Sequence, residues 1–111
     1  MVSVFVSKII ALPRKMFACE FNNGLRYCLF DMSQYLDRPA FIRLTNDDIF
    51  ASISCENGVP SWDGGRIDVA PEDVFETGRK ISAEEYSRIS YMASEIDRES
   101  LSEYLKSLKI A

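Results

Sequence analysis

The sequence predicts an α+β fold, with a small antiparallel sheet of about five to six short strands, short helices and a C-terminal pair of helices. Two observations support this prediction. Short apolar runs at strand spacing are separated by turn residues, of which Asn23-Gly24 is the clearest pair. From residue 81 onward, apolar residues instead recur at the spacing of amphipathic helices. We divide the chain into an α+β domain over residues 1–80 and a helical extension over residues 81–111. That extension either packs on the domain or mediates self-association.

The central element of the predicted sheet is a β-hairpin over residues 16–31. Asn23-Gly24 favours a two-residue turn because both residues tolerate a positive φ. Counting outward from this turn places Cys19 opposite Cys28, in a non-hydrogen-bonded pair. One face of the hairpin is then a core face with Phe17, Cys19, Phe21, Cys28 and Phe30. The other face is mixed and suits partial coverage; it carries Ala18, Glu20, Tyr27 and Leu29.

The segments around this hairpin predict further strands and a short helix. Val2, Val4 and Val6 alternate with Ser3, Phe5 and Ser7, which indicates a first strand with its valine face inward. The apolar pattern shifts after Lys8, which indicates a β-bulge or twist there. Turn residues delimit three more short strands, over residues 51–55, 59–62 and 66–69. A helix is expected to begin at Pro71, where proline is favoured in the first turn, and to end at Gly78.

The C-terminal region predicts two helices. Ser82 and Glu85 have the spacing of a capping box, and the first apolar stripe follows with Tyr86, Ile89, Met92, Ala93 and Ile96. A second stripe contains Leu101, Tyr104, Leu105 and Leu108. Because one continuous helix would place the two stripes on different faces, we expect a break near residues 97–100 and a second capping box from Ser100 to Glu103.

The composition excludes several kinds of catalysis. The chain has no histidine, which removes Ser-His and Cys-His nucleophiles, histidine bases and most zinc sites. The sequence also lacks a P-loop and a G-x-G-x-x-G motif, so we expect no cofactor and no enzymatic activity. No secretory signal or membrane-spanning stretch is evident, and three cysteines without a framework spacing fit the reducing cytoplasm.

Three features allow a structural or a functional interpretation. Cys19 and Cys28 are either two small buried apolar residues or a redox-sensitive cross-strand disulfide. Trp62, the single tryptophan, is either a core anchor or a half-exposed binding anchor. Four carboxylates lie close together in sequence, at Asp63, Asp68, Glu72 and Asp73. Their structural interpretation is that they complete turns and helix ends, and their functional interpretation is that they bind Mg²⁺ or act as an acid/base pair.

Charge is distributed unevenly along the chain, whose net charge is −4. Residues 1–45 carry a net charge of +3 and residues 46–111 a net charge of −7. The acidic half is either a solvated surface or a surface that attracts a basic protein partner. The net negative charge disfavours nucleic-acid binding, which relies on Lys and Arg side chains that neutralise phosphates.

The order of these motifs resembles a bacterial family described as domain of unknown function 2442. The resemblance covers about residues 5–77, and its motifs lie in the segments 21–24, 30–36, 41–44, 49–50 and 62–73. The family often shows W-x-x-G-x-D-h-x-P-x-x-L in the last segment, where h is apolar, whereas this chain has Val74-Phe75 at the end of that pattern. The resemblance implies a compact α+β domain without established enzymatic activity. Family genes often lie beside genes for small toxin-like proteins, which suggests an antitoxin or other partner-binding role.

We therefore expect a non-enzymatic cytoplasmic protein that binds a protein partner, in an antitoxin-like or adaptor role. A small toxin is one candidate for this partner, and the C-terminal helices are candidates for a homodimer interface. The alternative is a dimeric DNA-binding transcriptional regulator, since some relatives carry a helix-turn-helix domain after this unit. The candidate partner-binding residues are Trp62, Asp63, Arg66, Tyr104, Leu105 and Leu108.

Overall fold

The structure of the chain is a computed structural model that describes residues 3–94 and 98–108. In these ranges the chain forms six strands and four α-helices. The strands are β1 (Val6–Leu12), β2 (Met16–Phe21), β3 (Arg26–Asp31), β4 (Ser61–Trp62), β5 (Ile67–Asp68) and β6 (Arg79–Ile81). The helices are α1 (Asp47–Ala51), α2 (Pro71–Thr77), α3 (Ala83–Ser94) and α4 (Arg98–Ser107).

The strands form two antiparallel sheets, which confirms the predicted α+β fold. Strands β1, β2, β3 and β6 make a four-stranded sheet in that spatial order, and β4 and β5 pair in a separate two-stranded sheet. The predicted strand number is confirmed, although the strands divide between two sheets. Strand β6 was not predicted; it pairs with β3 through Ile81 opposite Tyr27 and Arg79 opposite Leu29.

The predicted hairpin register is confirmed, but the turn differs. Phe21 pairs with Arg26 and Cys19 with Cys28, as expected. The loop contains four residues rather than two, and Asn22, Asn23 and Gly24 all have positive φ. Asn22 is recruited to the turn because it also pairs with the N-terminal segment: its N–H donates to the carbonyl oxygen of Phe5, and its Oδ1 accepts from the Phe5 N–H.

The longer loop reverses the hydrogen-bonding pattern of the hairpin. The N–H of Leu25 donates to the Phe21 carbonyl oxygen, and the N–H of Met32 donates to the Lys15 carbonyl oxygen. Odd-numbered residues of β2 therefore direct their backbone groups toward β3. The Cys19–Cys28 pair is consequently hydrogen-bonded, so the predicted non-hydrogen-bonded pairing is wrong.

The β-bulge in β1 is confirmed, whereas the predicted strand over residues 51–55 is wrong. The pairing of β1 with β2 shifts between Val6 and Lys8. Residues 51–55 contribute only one isolated bridge, from Ser54 to Ser61. The physical reason is a helix cap: the side chain of Asn46 accepts a hydrogen bond from the Ile49 N–H, and the helix that starts there extends through Ala51.

One face of the four-stranded sheet packs on the first core. This core contains the hairpin residues predicted for it together with Val6, Met32, Leu44, Phe50, Trp62, Ile67 and Val74. Trp62 connects α1 with the hairpin. The centroid of its ring lies 5.8 Å from that of Phe50 in α1 and 6.2 Å from that of Phe17 in β2. The hairpin and the segment over residues 62–73 are therefore packed together.

The opposite face of the sheet is covered by α3 and α4. Leu29 and Ala18 of the sheet share a second core with Tyr86 and Ile89 of α3 and with two leucines of α4, Leu101 and Leu105. Both predicted apolar stripes are therefore used within the chain. The mixed face of the hairpin is mostly covered rather than half solvated.

The cap at the start of α3 is confirmed, and the one predicted for α4 is wrong. Ser82 Oγ accepts from the Glu85 N–H, and a Glu85 carboxylate oxygen accepts from the Ser82 N–H. Helix α4 already begins at Arg98, so Ser100 lies inside the helix and cannot cap it. Three residues used in the predictions, Val2, Ile96 and Asp97, lie outside the described residues.

Candidate binding site

The predicted partner-binding residues divide into buried and accessible ones. Trp62 is 1% exposed and its indole N–H donates to the Phe50 carbonyl oxygen at 3.0 Å, so it is a core anchor. Leu105 is also buried, against the sheet, and Tyr104 and Leu108 are half-buried beside it. None of these three α4 residues shares a surface with Asp63 and Arg66, which lie by the two-stranded sheet.

Asp63 and Arg66 take part in an ion-pair cluster. The Asp63 carboxylate is paired with the Arg43 guanidinium and lies 3.9 Å from a guanidinium nitrogen of Arg66. Asp63 also has a positive φ, in the turn that joins β4 to β5. Two guanidinium groups share one carboxylate, so the cluster carries a net charge of +1 and does not offer the acidic surface that a basic partner requires.

The cysteine pair has the properties of buried apolar residues. Cys19 and Cys28 are both free and both fully buried, and burial raises the pKa of each thiol. In a hydrogen-bonded pair the two Cβ atoms are about 5.5 Å apart, beyond the range of about 3.5–4.5 Å that a disulfide needs. The geometry therefore disfavours the disulfide hypothesis.

Among the described residues, the four carboxylates of the acidic segment do not form one cluster. Across residues 3–94 and 98–108, no three Cys, Asp or Glu side chains lie together in a way that could hold a metal ion. Instead, Asp63 pairs with Arg43, Glu72 lies in the first turn of α2, and only two of the four, Asp68 and Asp73, line the same groove.

That groove is the site we consider the best candidate for a partner. It has a volume of about 430 Å³ and lies between the segment over residues 30–41 and the segment that leads from β5 into α2. We call it the aromatic–acidic groove and define it by five side chains: Phe30, Tyr35, Phe41, Asp68 and Asp73. Its remaining lining comes from Arg38, Val69, Ala70 and Thr77.

One side of the aromatic–acidic groove is a row of three rings. The Tyr35 ring stacks on Phe30 with 5.9 Å between centroids and 11° between planes, and Phe41 continues the row 6.2 Å from Tyr35. Two local features hold the row in place. The Asp31 carboxylate accepts from the Ser33 N–H, which fixes the turn that carries Tyr35, and a 3₁₀ helix over Pro39–Thr45 carries Phe41.

The other side of the groove is acidic. Asp68 projects from β5 and Asp73 from the first turn of α2, where a carboxylate also complements the positive end of the helix. Both residues are exposed, and within the described part of the chain neither forms an ion pair. The cation of the groove, Arg38, lies over the middle ring of the row, with its guanidinium carbon 4.6 Å from the Tyr35 centroid.

The sequence indicated only part of this groove. Asp68 and Asp73 belong to the acidic cluster that the sequence indicated, whereas no motif in the sequence indicated Tyr35 and Phe41 as binding residues. A half-buried tyrosine followed at i+3 by an arginine is the signal that would have identified this surface, since the pair can stack outside the core.

Comparisons with protein-family models, with curated proteins and with solved structures gave no match to the chain. No helix within the described ranges is both long enough and apolar enough to cross a membrane.

Proposed function

We propose that the protein is a non-enzymatic cytoplasmic binding protein that holds a basic segment of a protein partner in its aromatic–acidic groove. The observation that supports this proposal is the groove itself, in which the half-buried rings of Tyr35 and Phe41 face two carboxylates that form no ion pair among the described residues. Rings of this kind serve as anchors in protein interfaces, because they bury much area at a small cost in conformational entropy.

The charges of the groove specify the kind of partner. Asp68 and Asp73 carry two negative charges against the single positive charge of Arg38. A Lys or Arg side chain of the partner would restore the balance of charge across the groove. The net charge of −7 over residues 46–111 would favour association of the protein with such a basic partner.

The resemblance to the domain of unknown function 2442 family agrees with this role. One of the segments that carry the resemblance, over residues 62–73, supplies Asp68, Val69, Ala70 and Asp73 to the groove. An antitoxin-like role, in which the partner is a small basic toxin, is the form of the proposal that this resemblance favours.

Comparative capture of partners from the native host tests the proposal. Tagged wild-type protein and the double variant Asp68→Asn/Asp73→Asn are incubated with the same lysate, and stoichiometric partners are quantified. We expect a basic partner that the double variant binds at least tenfold more weakly, and whose binding to the wild type weakens as salt is raised. The matched control is Glu72→Gln/Glu76→Gln, which removes two exposed charges from α2 outside the groove.

The outcome decides between this proposal and its alternatives. Equal capture by the wild type and the double variant, or no stoichiometric partner at all, would contradict it. A gel shift with the upstream region of the gene, repeated at several salt concentrations, tests the dimeric DNA-binding alternative. That alternative has less support, because residues 81–111 carry six acidic and four basic side chains.

A further inference from the structure

A second cleft lies on the other face of the sheet, beside α3. It has a volume of about 500 Å³. We call it the tyrosine–glutamate cleft and define it by Glu20, Tyr27, Tyr86 and Tyr91. Lys8, Ile10, Ser87, Ser90 and Ser94 complete its lining. No residue of this cleft belongs to the aromatic–acidic groove.

The feature that requires an explanation is Glu20. Glu20 is 8% exposed, and it is the one charged residue that is buried among the described residues. Its carboxylate accepts a hydrogen bond from Ser7 Oγ at 2.7 Å, and the Tyr27 side chain lines the same cleft. Among the described residues, no Lys or Arg nitrogen lies within 4.0 Å of it. A buried carboxylate with only neutral donors is a costly arrangement unless a cation completes it.

The walls around this carboxylate suit a cation. The Tyr27 and Tyr86 rings lie 4.9 Å apart between centroids, and Tyr91, which is 66% exposed, stands at the mouth of the cleft. Aromatic faces attract guanidinium and ammonium groups, more strongly where water is partly excluded. Burial raises the pKa of both Tyr27 and Tyr86, and the negative charge of Glu20 raises each pKa further. Both hydroxyls therefore stay protonated and neutral.

Lys8 is the cation nearest to this carboxylate along the strands. It is the register partner of Glu20 across β1 and β2, but its side chain is exposed and forms no ion pair among the described residues. Lys8 thus lines the cleft without pairing with the Glu20 carboxylate.

We infer that the tyrosine–glutamate cleft binds one guanidinium or primary ammonium group that is carried on a short apolar stem. The charged group would lie against the Glu20 carboxylate, and the stem would contact the rings of Tyr86 and Tyr91. Such a group occurs both in free small amines and in the Arg and Lys side chains of proteins, and the test separates these sources.

The test is a titration of the full-length protein with n-butylguanidinium, followed by the NMR shifts of the tyrosine ring protons. We expect saturable binding in the millimolar range, with shifts at Tyr27, Tyr86 and Tyr91. The neutral isostere n-butylurea should bind to the wild type at least tenfold more weakly than n-butylguanidinium does. The affinity of n-butylguanidinium for Glu20→Gln should also be at least tenfold lower than its affinity for the wild type. The matched control Glu56→Gln removes an exposed charge in a loop and should bind like the wild type.

Two further variants keep the test decisive if Glu20→Gln does not fold. Tyr91→Ala changes an exposed residue and should weaken binding severalfold, whereas Lys8→Met should leave binding equal or make it tighter. Equal affinity for n-butylguanidinium and n-butylurea, wild-type affinity in Tyr91→Ala, or weaker binding in Lys8→Met would overturn the inference. If N-acetyl-arginine-methylamide binds more tightly than n-butylguanidinium, the natural source of the cation is a protein side chain. If n-butylguanidinium binds more tightly, the natural source is a free amine.

Discussion

At the scale of single residues, Trp62 shows how one side chain supports two parts of the fold. It is fully buried between Phe17 and Phe50, and its N–H satisfies the Phe50 carbonyl oxygen. Trp62→Phe keeps a ring but removes the donor, so we expect a free energy of unfolding lower by about 1–3 kcal/mol. Urea denaturation followed by far-ultraviolet circular dichroism measures the change, since the variant lacks the single tryptophan.

The control for this prediction is Tyr91→Phe. It also removes one hydrogen-bonding group from an aromatic residue, but at an exposed position. Its effect on stability should stay within about 0.5 kcal/mol. Equal losses of stability in the two variants would show that the buried hydrogen bond of Trp62 stabilises the fold no more than an exposed hydroxyl does.

The buried thiols predict a dependence of stability on pH. Burial raises the pKa of the Cys19 thiol, and the neighbouring Cys28 and Cys55 raise it by smaller amounts. Burial also raises the pKa of the Cys28 thiol and that of the Cys55 thiol. Above about pH 8.5 the unfolded thiols lose their protons while the folded ones keep them. The folded state then binds more protons, so the free energy of unfolding falls as pH rises. Urea denaturation between about pH 8 and pH 10 should show this fall and a shallower one in Cys19→Ala. Parallel curves for the two proteins would contradict the assignment to Cys19.

At the scale of elements, Gly78 controls how α2 meets the sheet. Its φ is −68°, so its backbone does not require glycine. A Cβ atom would instead lie 2.6 Å from the Val74 carbonyl oxygen and 3.3 Å from both the Cys28 Cβ and the Leu29 carbonyl oxygen. We expect Gly78→Ala to lower the free energy of unfolding by about 1–3 kcal/mol, because α2 must move away from β3. NMR should show backbone amide shifts along β3.

Gly64→Ala is the matched control for this prediction. Gly64 has a positive φ of 64° and no atom within 4 Å of an added Cβ. The substitution should therefore cost only backbone strain, about 1–2 kcal/mol, and leave the amides of β3 in place. Undisturbed β3 amides in Gly78→Ala would rule out close packing as the role of this glycine.

The elements also show what sequence patterns can and cannot predict. The register of the hairpin followed from local residues alone. Its hydrogen-bonding pattern did not, because Asn22 enters the turn through bonds to Phe5, which is distant in sequence. Strand β6 has one buried residue in three, so it becomes a strand only because β3 offers an edge. The aromatic–acidic groove combines residues 30–41 with residues 68–77, and no spacing within either segment indicates that they meet.

At the scale of the whole molecule, the four-stranded sheet joins two cores. Its first face packs against Trp62 and its neighbours, and its second face packs against α3 and α4. Because both cores share β2 and β3, we expect residues 81–108 to unfold together with the rest of the chain. This arrangement also occupies the apolar stripe of α4, so self-association through Leu101 and Leu105 would require that helix to leave the sheet.

Leu101→Ala tests this coupling. Leu101 is 1% exposed, and its truncation should lower the free energy of unfolding by about 2–5 kcal/mol through the cavity that it leaves in the second core. Trp62 fluorescence reports on the first core, whereas far-ultraviolet circular dichroism reports on helices and sheet together. We expect both signals to shift to the same lower urea midpoint, since the sheet transmits the loss from one core to the other. Leu25→Ala, at a 62% exposed position, should leave the midpoint nearly unchanged. If instead the dichroism changes at lower urea while Trp62 fluorescence keeps its wild-type midpoint, α3 and α4 form a separately unfolding unit, and their apolar stripes become available for self-association.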